Sequence, residues 1–343
     1  MGIVIDREAM KKAVSLGISL DLQNYTIKRN GIFVCGGDFS CYIKSDIEFL
    51  ESKNDENYFS FVLSKNNSKI LKTAIGYCDY GRIKIDSIGG YIDIGKIRIS
   101  IYVTMIEGKE FLDFSKVKRF MCINADEVNC LVKNKSNFLF LNGGKCYTKK
   151  RDCAILLRNV LDVDDLAIPI APLRILAKSK NGVTLGVSED KEFAMFTSKD
   201  VVVKVELSDI YTPKISLVLN KFEGHENTFT TTTKEFKRNL KTIIDSSSGR
   251  ENTLLSIKVE NSEVYLSLFL EKLAVFGKSE KLDTSEVSKH GVNTTLNAHD
   301  LNEFLKSFKG EKSLSVTIVD NLSPVLFKVG SISYLKAVLL KGE

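Results

Sequence analysis

The 343-residue sequence has no tryptophan, only four prolines and only three histidines, His225, His290 and His299. No two of these stand at metal-ligand spacing from one another or from cysteine, so no zinc or other metal centre is expected. The seven cysteines, Cys35, Cys41, Cys78, Cys122, Cys130, Cys146 and Cys153, include no Cys-x-x-Cys pair. Scattered in this way they read as reduced, mostly buried thiols, not as a disulfide framework. Long apolar runs are also missing. Even Val160 to Leu176 is broken by Asp162, Asp164, Asp165, Pro169, Pro172 and Arg174, short of the roughly 20 apolar residues of a membrane helix. The start, Met1 to Arg7, has no basic region leading into an apolar stretch, and Asp6 stands where a myristoylation signal would want Ser or Thr. A cytoplasmic protein with no membrane partner is therefore expected.

Neither charge dominates. Lys and Arg number 49 against 43 Asp and Glu, a net +6, which permits an anionic partner without identifying one. Signatures of catalysis are lacking as well. Gly143-Gly144-Lys145-Cys146 differs from a phosphate loop in having Leu139 for the earlier glycine and Cys146 for Ser or Thr, and it reads as a hairpin turn. Asp162, Asp164 and Asp165 have neither the glycine nor the distal glutamate of a calcium loop and read as a solvated connection. No Gly-x-Ser-x-Gly elbow is present. Neither a cofactor nor enzymatic activity is expected.

What is present is an ordinary globular composition, 43% hydrophobic and 27% charged, in a chain long enough for two or three domains. One pattern recurs. Ile70-Leu71-Lys72-Thr73-Ala74-Ile75-Gly76 returns in outline as Leu176-Ala177-Lys178-Ser179-Lys180-Asn181-Gly182 and as Phe304-Leu305-Lys306-Ser307-Phe308-Lys309-Gly310. The offsets are domain-sized, not those of a solenoid. Each copy reads as the end of a short helix, with Lys in the last turn and Gly just beyond. A short β-prone segment precedes each one: Tyr58 to Leu63, Leu166 to Ile170 and Val292 to Leu296. Pro169 suits an edge or a strand end. Further strands follow, such as Lys96 to Met105, Val201 to Leu207 and Tyr334 to Leu340, whose alternation fits sheets with one wet face.

The front of each unit offers a second helix, Asp6 to Leu16, Asn124 to Lys133 and Thr232 to Ile244. Thr232-Thr233-Lys234-Glu235 is a candidate capping box. The sequence therefore predicts three α+β units of helix, strands, helix, strands, with antiparallel sheets. Charged and polar linkers at Gly108 to Lys118 and Asn220 to Asn227 place the domains at 1–115, 116–222 and 223–343.

At this point the chain resembles the bacterial-type DNA sliding clamp, the β subunit of replicative DNA polymerase III, including its phage relatives. The resemblance is carried best by Thr294 to Leu305 leading into Ser313 to Ile318, then Asn321-Leu322-Ser323-Pro324-Val325 and Tyr334 to Leu340. Tyr147 to Ala154 and Leu166 to Leu207 support it next, and the first unit, whose opening helix looks shortened, least. The resemblance implies the DNA clamp fold: a ring of two copies joined head to tail, helices lining a hole around double-stranded DNA and sheets outside. It also implies a DNA polymerase and a clamp loader as partners. The inner helices would offer Arg7, Lys11, Lys12, Lys69, Lys72, Lys133, Arg174, Lys178, Lys237, Arg238, Lys241 and Lys306 to phosphates; the alternative reading of each is a solvated helix face. A partner-peptide groove would be lined by Thr148, Arg151, Cys153, Leu335, Val338 and Leu339, the alternative being plain strand core. Here Thr148-Lys149-Lys150-Arg151-Asp152-Cys153 replaces the family's Thr-Asp-Gly-His-Arg-Leu, Ala337-Val338-Leu339 replaces its Met-Pro-Met, and the net positive charge departs from its usual acidity. Two other readings stand beside this one: a clamp-like scaffold for transcription or repair factors, and a phage structural protein of repeated α+β modules. A small-molecule enzyme ranks last.

Overall fold

The computed structural model describes residues 2–50, 58–78, 81–88, 91–94, 97–99, 116–117, 119–158, 161, 163, 165–179, 181–226, 228–247, 253–270, 275–285, 287 and 291–338. Among the sequence expectations, Leu339, Leu340, Asp162, Asp164, Lys180, His290, most of Lys96 to Met105 and most of the linker from Gly108 lie outside them.

The first stretch of chain runs β1 (Gly2–Asp6), α1 (Arg7–Leu20), β2 (Asn24–Lys28), β3 (Gly31–Gly36), β4 (Phe39–Lys44), β5 (Glu48–Phe49), β6 (Tyr58–Val62), α2 (Lys65–Gly76), β7 (Arg82–Ile88), β8 (Tyr91–Ile94) and β9 (Ile97–Ile99). The second runs β10 (Arg119–Ile123), α3 (Ala125–Lys133), β11 (Phe138–Asn142), β12 (Lys145–Lys150), β13 (Cys153–Arg158), β14 (Leu166–Pro169), α4 (Ala171–Leu176), β15 (Val183–Val187), β16 (Phe193–Ser198), β17 (Val201–Glu206) and the short α5 (Ser216–Leu219). The third runs β18 (Phe229–Thr232), α6 (Thr233–Ser246), β19 (Leu254–Glu260), β20 (Glu263–Leu270), β21 (Val275–Leu282), β22 (Val292–Asn297), α7 (Ala298–Leu305), β23 (Ser313–Ile318), β24 (Val325–Val329) and β25 (Ile332–Lys336). The α+β class and the threefold order of elements agree with the expectation. An opening strand, β1, β10 or β18, also stands before each front helix; these are short and run straight into the helix, so the change of period hides them.

Sheet order explains why the repeats do not fold apart. Two eight-stranded sheets have the orders β10-β15-β16-β17-β4-β3-β2-β6 and β14-β11-β12-β13-β25-β24-β23-β18. Each therefore takes half its strands from one repeat and half from the next. At both joins the last strand of the later repeat pairs antiparallel with the third sheet strand after the front helix of the earlier one. Val203 of β17 faces Cys41 of β4, and Leu335 of β25 faces Ala154 of β13. Among the described residues, the remaining half-sheets, β5-β1-β7-β8-β9 and β21-β20-β19-β22, end on one side at β9 and at β21. The compact units accordingly do not coincide with the repeats. One contains Met1–Asn124 with Ala171–Ser208, the other Ala125–Ile170 with Asp209–Glu343, and the division passes through the second repeat.

Local chemistry sets the helix starts. The side chains of Asp6, Ser64, Thr232 and Asn297 accept hydrogen bonds from Ala9 N, Asn67 N, Glu235 N and both His299 N and Asp300 N, respectively, satisfying first-turn donors. The Thr232 cap forms only half of a capping box, since the Glu235 carboxylate takes bonds from Arg238 and Asn239 instead. The first front helix is not shortened. It passes the expected stop at Leu16 and reaches Leu20, with Gly17 buried inside it, because a side chain at Gly17 would overlap the Tyr25 hydroxyl. That glycine permits close packing of helix on strand; it does not end the helix. The repeated Lys-Thr/Ser motif does fall at the ends of α2, α4 and α7, but its glycines differ. Gly310 alone of the three is left-handed, at φ +69, whereas Gly182 lies where a Cβ would come within 3.0 Å of Ile123 O.

Candidate nucleic-acid interface and partner groove

In the first compact unit α1, α2 and the α4 region bring four of the expected cations together. Lys11, Lys12, Lys72 and Lys178 line one cleft of about 560 Å³, along with Glu8 and Asp200. Lys12, Lys72 and Lys178 are exposed, and Lys11 has Glu8 at 3.9 Å. Lys199, not among the expected cations, joins them from the β16–β17 turn. Its signal was the turn itself, which carries the lysine at φ +48.

The other cations of this unit stand differently. Arg7 Nε donates to Ile75 O at 3.0 Å and a terminal nitrogen donates to Gly76 O at 2.8 Å, so its guanidinium holds the carbonyl end of α2. Lys69 is exposed on α2 but outside the cleft lining, and Arg174 is half-buried with a partner of its own.

In the second unit the cations surround α3, α6 and α7. Lys237 Nζ donates to Phe308 O at 2.9 Å. Burial, reinforced by the nearby charge of Lys133, lowers its pKa. Arg238 is bound to Glu235 and Lys306 to Glu303, each at 2.7 Å, while Lys133 and Lys241 are exposed. The Lys306–Glu303 pair, exposed on both sides, exchanges readily with solvent ions and with other anions.

A cavity lies where β13 meets β25, in the region from which the resemblance draws a partner groove. Tyr147 donates its hydroxyl to Pro213 O, and Ile215 and Phe222 are buried in the cluster that also holds Tyr147, Leu326 and Leu335. The connection after β17 is thereby fixed across the sheet. The cavity measures about 200 Å³, and of the candidate groove residues Arg151, Cys153 and Leu335 line it. Thr148 does not; it is fully buried and receives Asn134 Nδ2 at 3.0 Å. Val338 is half-buried and not part of the lining. Pro213, Ile215, Val218, Pro324 and Ala337 complete the apolar wall. For Ile215 and Val218 the signal was the helical spacing of Ile215, Val218, Leu219 and Phe222, in a stretch that the sequence assigns to no element before the linker at Asn220.

The Cys153 thiol is buried. Burial pushes its pKa up to about 11, and its Sγ donates to Asn134 Oδ1 at 3.2 Å. Among the described residues no group of three or more His, Cys, Asp or Glu could hold a metal, and no helix is long and apolar enough to cross a membrane.

The arrangement of half-sheets shared across repeats, with two helices in the chain order of each repeat, is the sliding-clamp fold. The whole chain superposes on solved clamps. It matches Caulobacter crescentus pol III beta with a TM-score of 0.73 at 14% identity, covering 99% of this chain and 100% of that one. Corresponding values are 0.72 and 12% for the DNA polymerase III subunit beta of Pseudomonas aeruginosa, with coverage of 99% and 100%. For the DNA polymerase sliding clamp of Bacillus subtilis they are 0.71 and 15%, covering 99% of each chain. Compared by sequence, the chain matches no protein-family model and no curated protein, so the likeness is one of fold.

Proposed function

We propose that this chain is a DNA sliding clamp, a non-catalytic processivity factor that encircles duplex DNA and tethers a replicative polymerase. The observation that carries the reading is the rule of the two joins. In both, the last strand of one repeat pairs with the third sheet strand of the repeat before it. The same rule applied once more pairs β9 with β21 of a second copy. Two copies joined head to tail in this way close a ring of six repeats, with domains at 1–115, 116–222 and 223–343. A contact between unlike surfaces closes only when the rotation returns to the start, which the internal repeat makes possible with two copies.

The exposed lysines of the first unit's cleft, with Lys69, Lys133, Lys241 and those on α6 and α7, would then meet phosphates weakly and without sequence preference. Enclosure, not affinity, would keep the protein on DNA, and a polymerase held in the groove would act at high local concentration. A closed ring needs an ATP-driven loader, which the clamp reading supplies as a partner, and its working place is the cytoplasm on DNA.

Two measurements test this together. Loaded protein should stay on nicked circular DNA and leave after linearisation, and primer extension on a long template should yield longer products when the protein and its loader are added. Equal loss from circular and linear DNA would refute the enclosure.

A further inference from the structure

The groove's apolar wall is ringed by cations. Lys149, Arg151 and Lys214 belong to its lining and all three are exposed. Asp152 is the only carboxylate among the described lining residues, and it is held by Lys336. The nearest acid along the Pro324 loop, Asp320, is exposed but lies outside the lining, and its carboxylate accepts from Leu322 N at 2.7 Å, Ser323 N at 2.6 Å and the Ser323 hydroxyl. The lining therefore presents three exposed cations against one lysine-bound carboxylate around an apolar floor. Large apolar side chains stand exposed beside that floor along the chain, Tyr211 at 80%, Leu217 at 70% and Leu322 at 72%, more surface than a cavity for one side chain requires.

We infer that the groove takes a linear peptide whose one or two large apolar side chains are flanked by Asp or Glu. This rests on the groove reading given above and adds the charge of the partner. A 200 Å³ pocket lined by Ile215, Val218, Pro324 and Leu335 accepts an aliphatic or aromatic anchor, and that anchor supplies affinity. Charges at a solvent-exposed rim act mainly on choice of partner and on association rate, because like charges are repelled there. Peptides with basic flanks are accordingly rejected.

Three synthetic peptides sharing a Leu-Phe-Leu centre, flanked by Asp-Glu, Asn-Gln or Lys-Lys, test this by fluorescence polarisation with the full-length protein. At low salt the acidic peptide should bind about tenfold more tightly than the neutral one, the sum expected of a few exposed ion pairs, and added salt should erase the difference. The double variant Lys149→Glu, Lys214→Glu should reverse the order of the acidic and basic peptides. Equal binding by all three would overturn the charge inference and leave the groove reading standing. Acidic-peptide binding that survives Val218→Glu would mean a lysine surface is attracting an anion, which overturns the inference as well. Failure of all three peptides would overturn both readings.

Discussion

Lys336 Nζ donates to Asp300 Oδ2 at 2.7 Å and also to Asp152, while the lysine side chain is wholly excluded from solvent. The three residues come from β25, the β12–β13 turn and the first turn of α7, so one ammonium joins two repeats and a helix start. Burial alone would lower the lysine's pKa, yet its two carboxylate partners raise it. Burial would likewise raise that of Asp152, but the hydrogen bond and charge of Lys336 hold it below its ordinary value.

Removing both carboxylates would leave the buried ammonium unpaired. Asp152→Asn with Asp300→Asn should cost about 3 to 5 kcal/mol, measured by urea unfolding at neutral pH. The pH dependence has two ends. The depressed Asp152 contributes stability that is present above an unfolded value of about 3.9 and is lost as pH falls through its folded value. The raised Lys336 contributes stability that is present below about 10.4 and is lost as pH rises through its folded value. The double variant should thus differ from the native chain across the middle of the range and converge with it in acid.

Gly17 should not tolerate even alanine. Alanine is the better helix former, but its Cβ would strike the Tyr25 hydroxyl and meet Leu22 O at 3.2 Å. Gly17→Ala should destabilise by about 1 to 3 kcal/mol, and adding Tyr25→Phe should recover part of that loss in thermal unfolding.

Tyr147→Phe removes the hydroxyl that holds Pro213 O at a cost of about 1 kcal/mol. The informative readout is local. Amide exchange in residues 214–222 should quicken while that of β11 and β12 stays unchanged.

Charge reversal in the first unit's cleft, Lys12→Glu with Lys72→Glu and Lys178→Glu, should weaken association with linear duplex DNA. The dependence of its logarithm on log salt should fall by about 0.9 for each phosphate that is no longer neutralised. Arg7→Gln, in comparison, should act on stability through α2, whose last carbonyls it holds, with little change in that slope.

Much of the fold was legible in the chain. The helix–strand order came from apolar period and caps, and the triplication from one motif ending α2, α4 and α7. Both are local signals, set by side chains within a few turns of one another. The cations of the cleft were legible as residues but not as a set, since nothing local distinguishes Lys72, which lines it, from Lys69, which does not. Lys336 reads in sequence as one polar step in an apolar strand, and Arg7 as one more helix cation; burial between sheet and helix made the first a tie between repeats, and the carbonyl end of α2 made the second a cap.

The sequence by itself determined the α+β class, the threefold order and which residues could carry charge or anchor a peptide, because periodicity and capping act over short distances. Only the tertiary structure decided that sheets are shared between repeats, that the segment after β17 becomes a groove wall, and which charges are already engaged. Those outcomes depend on strand pairing between residues as distant as Leu335 and Ala154, and hydrogen bonding across such separations leaves no mark on neighbouring residues in the chain.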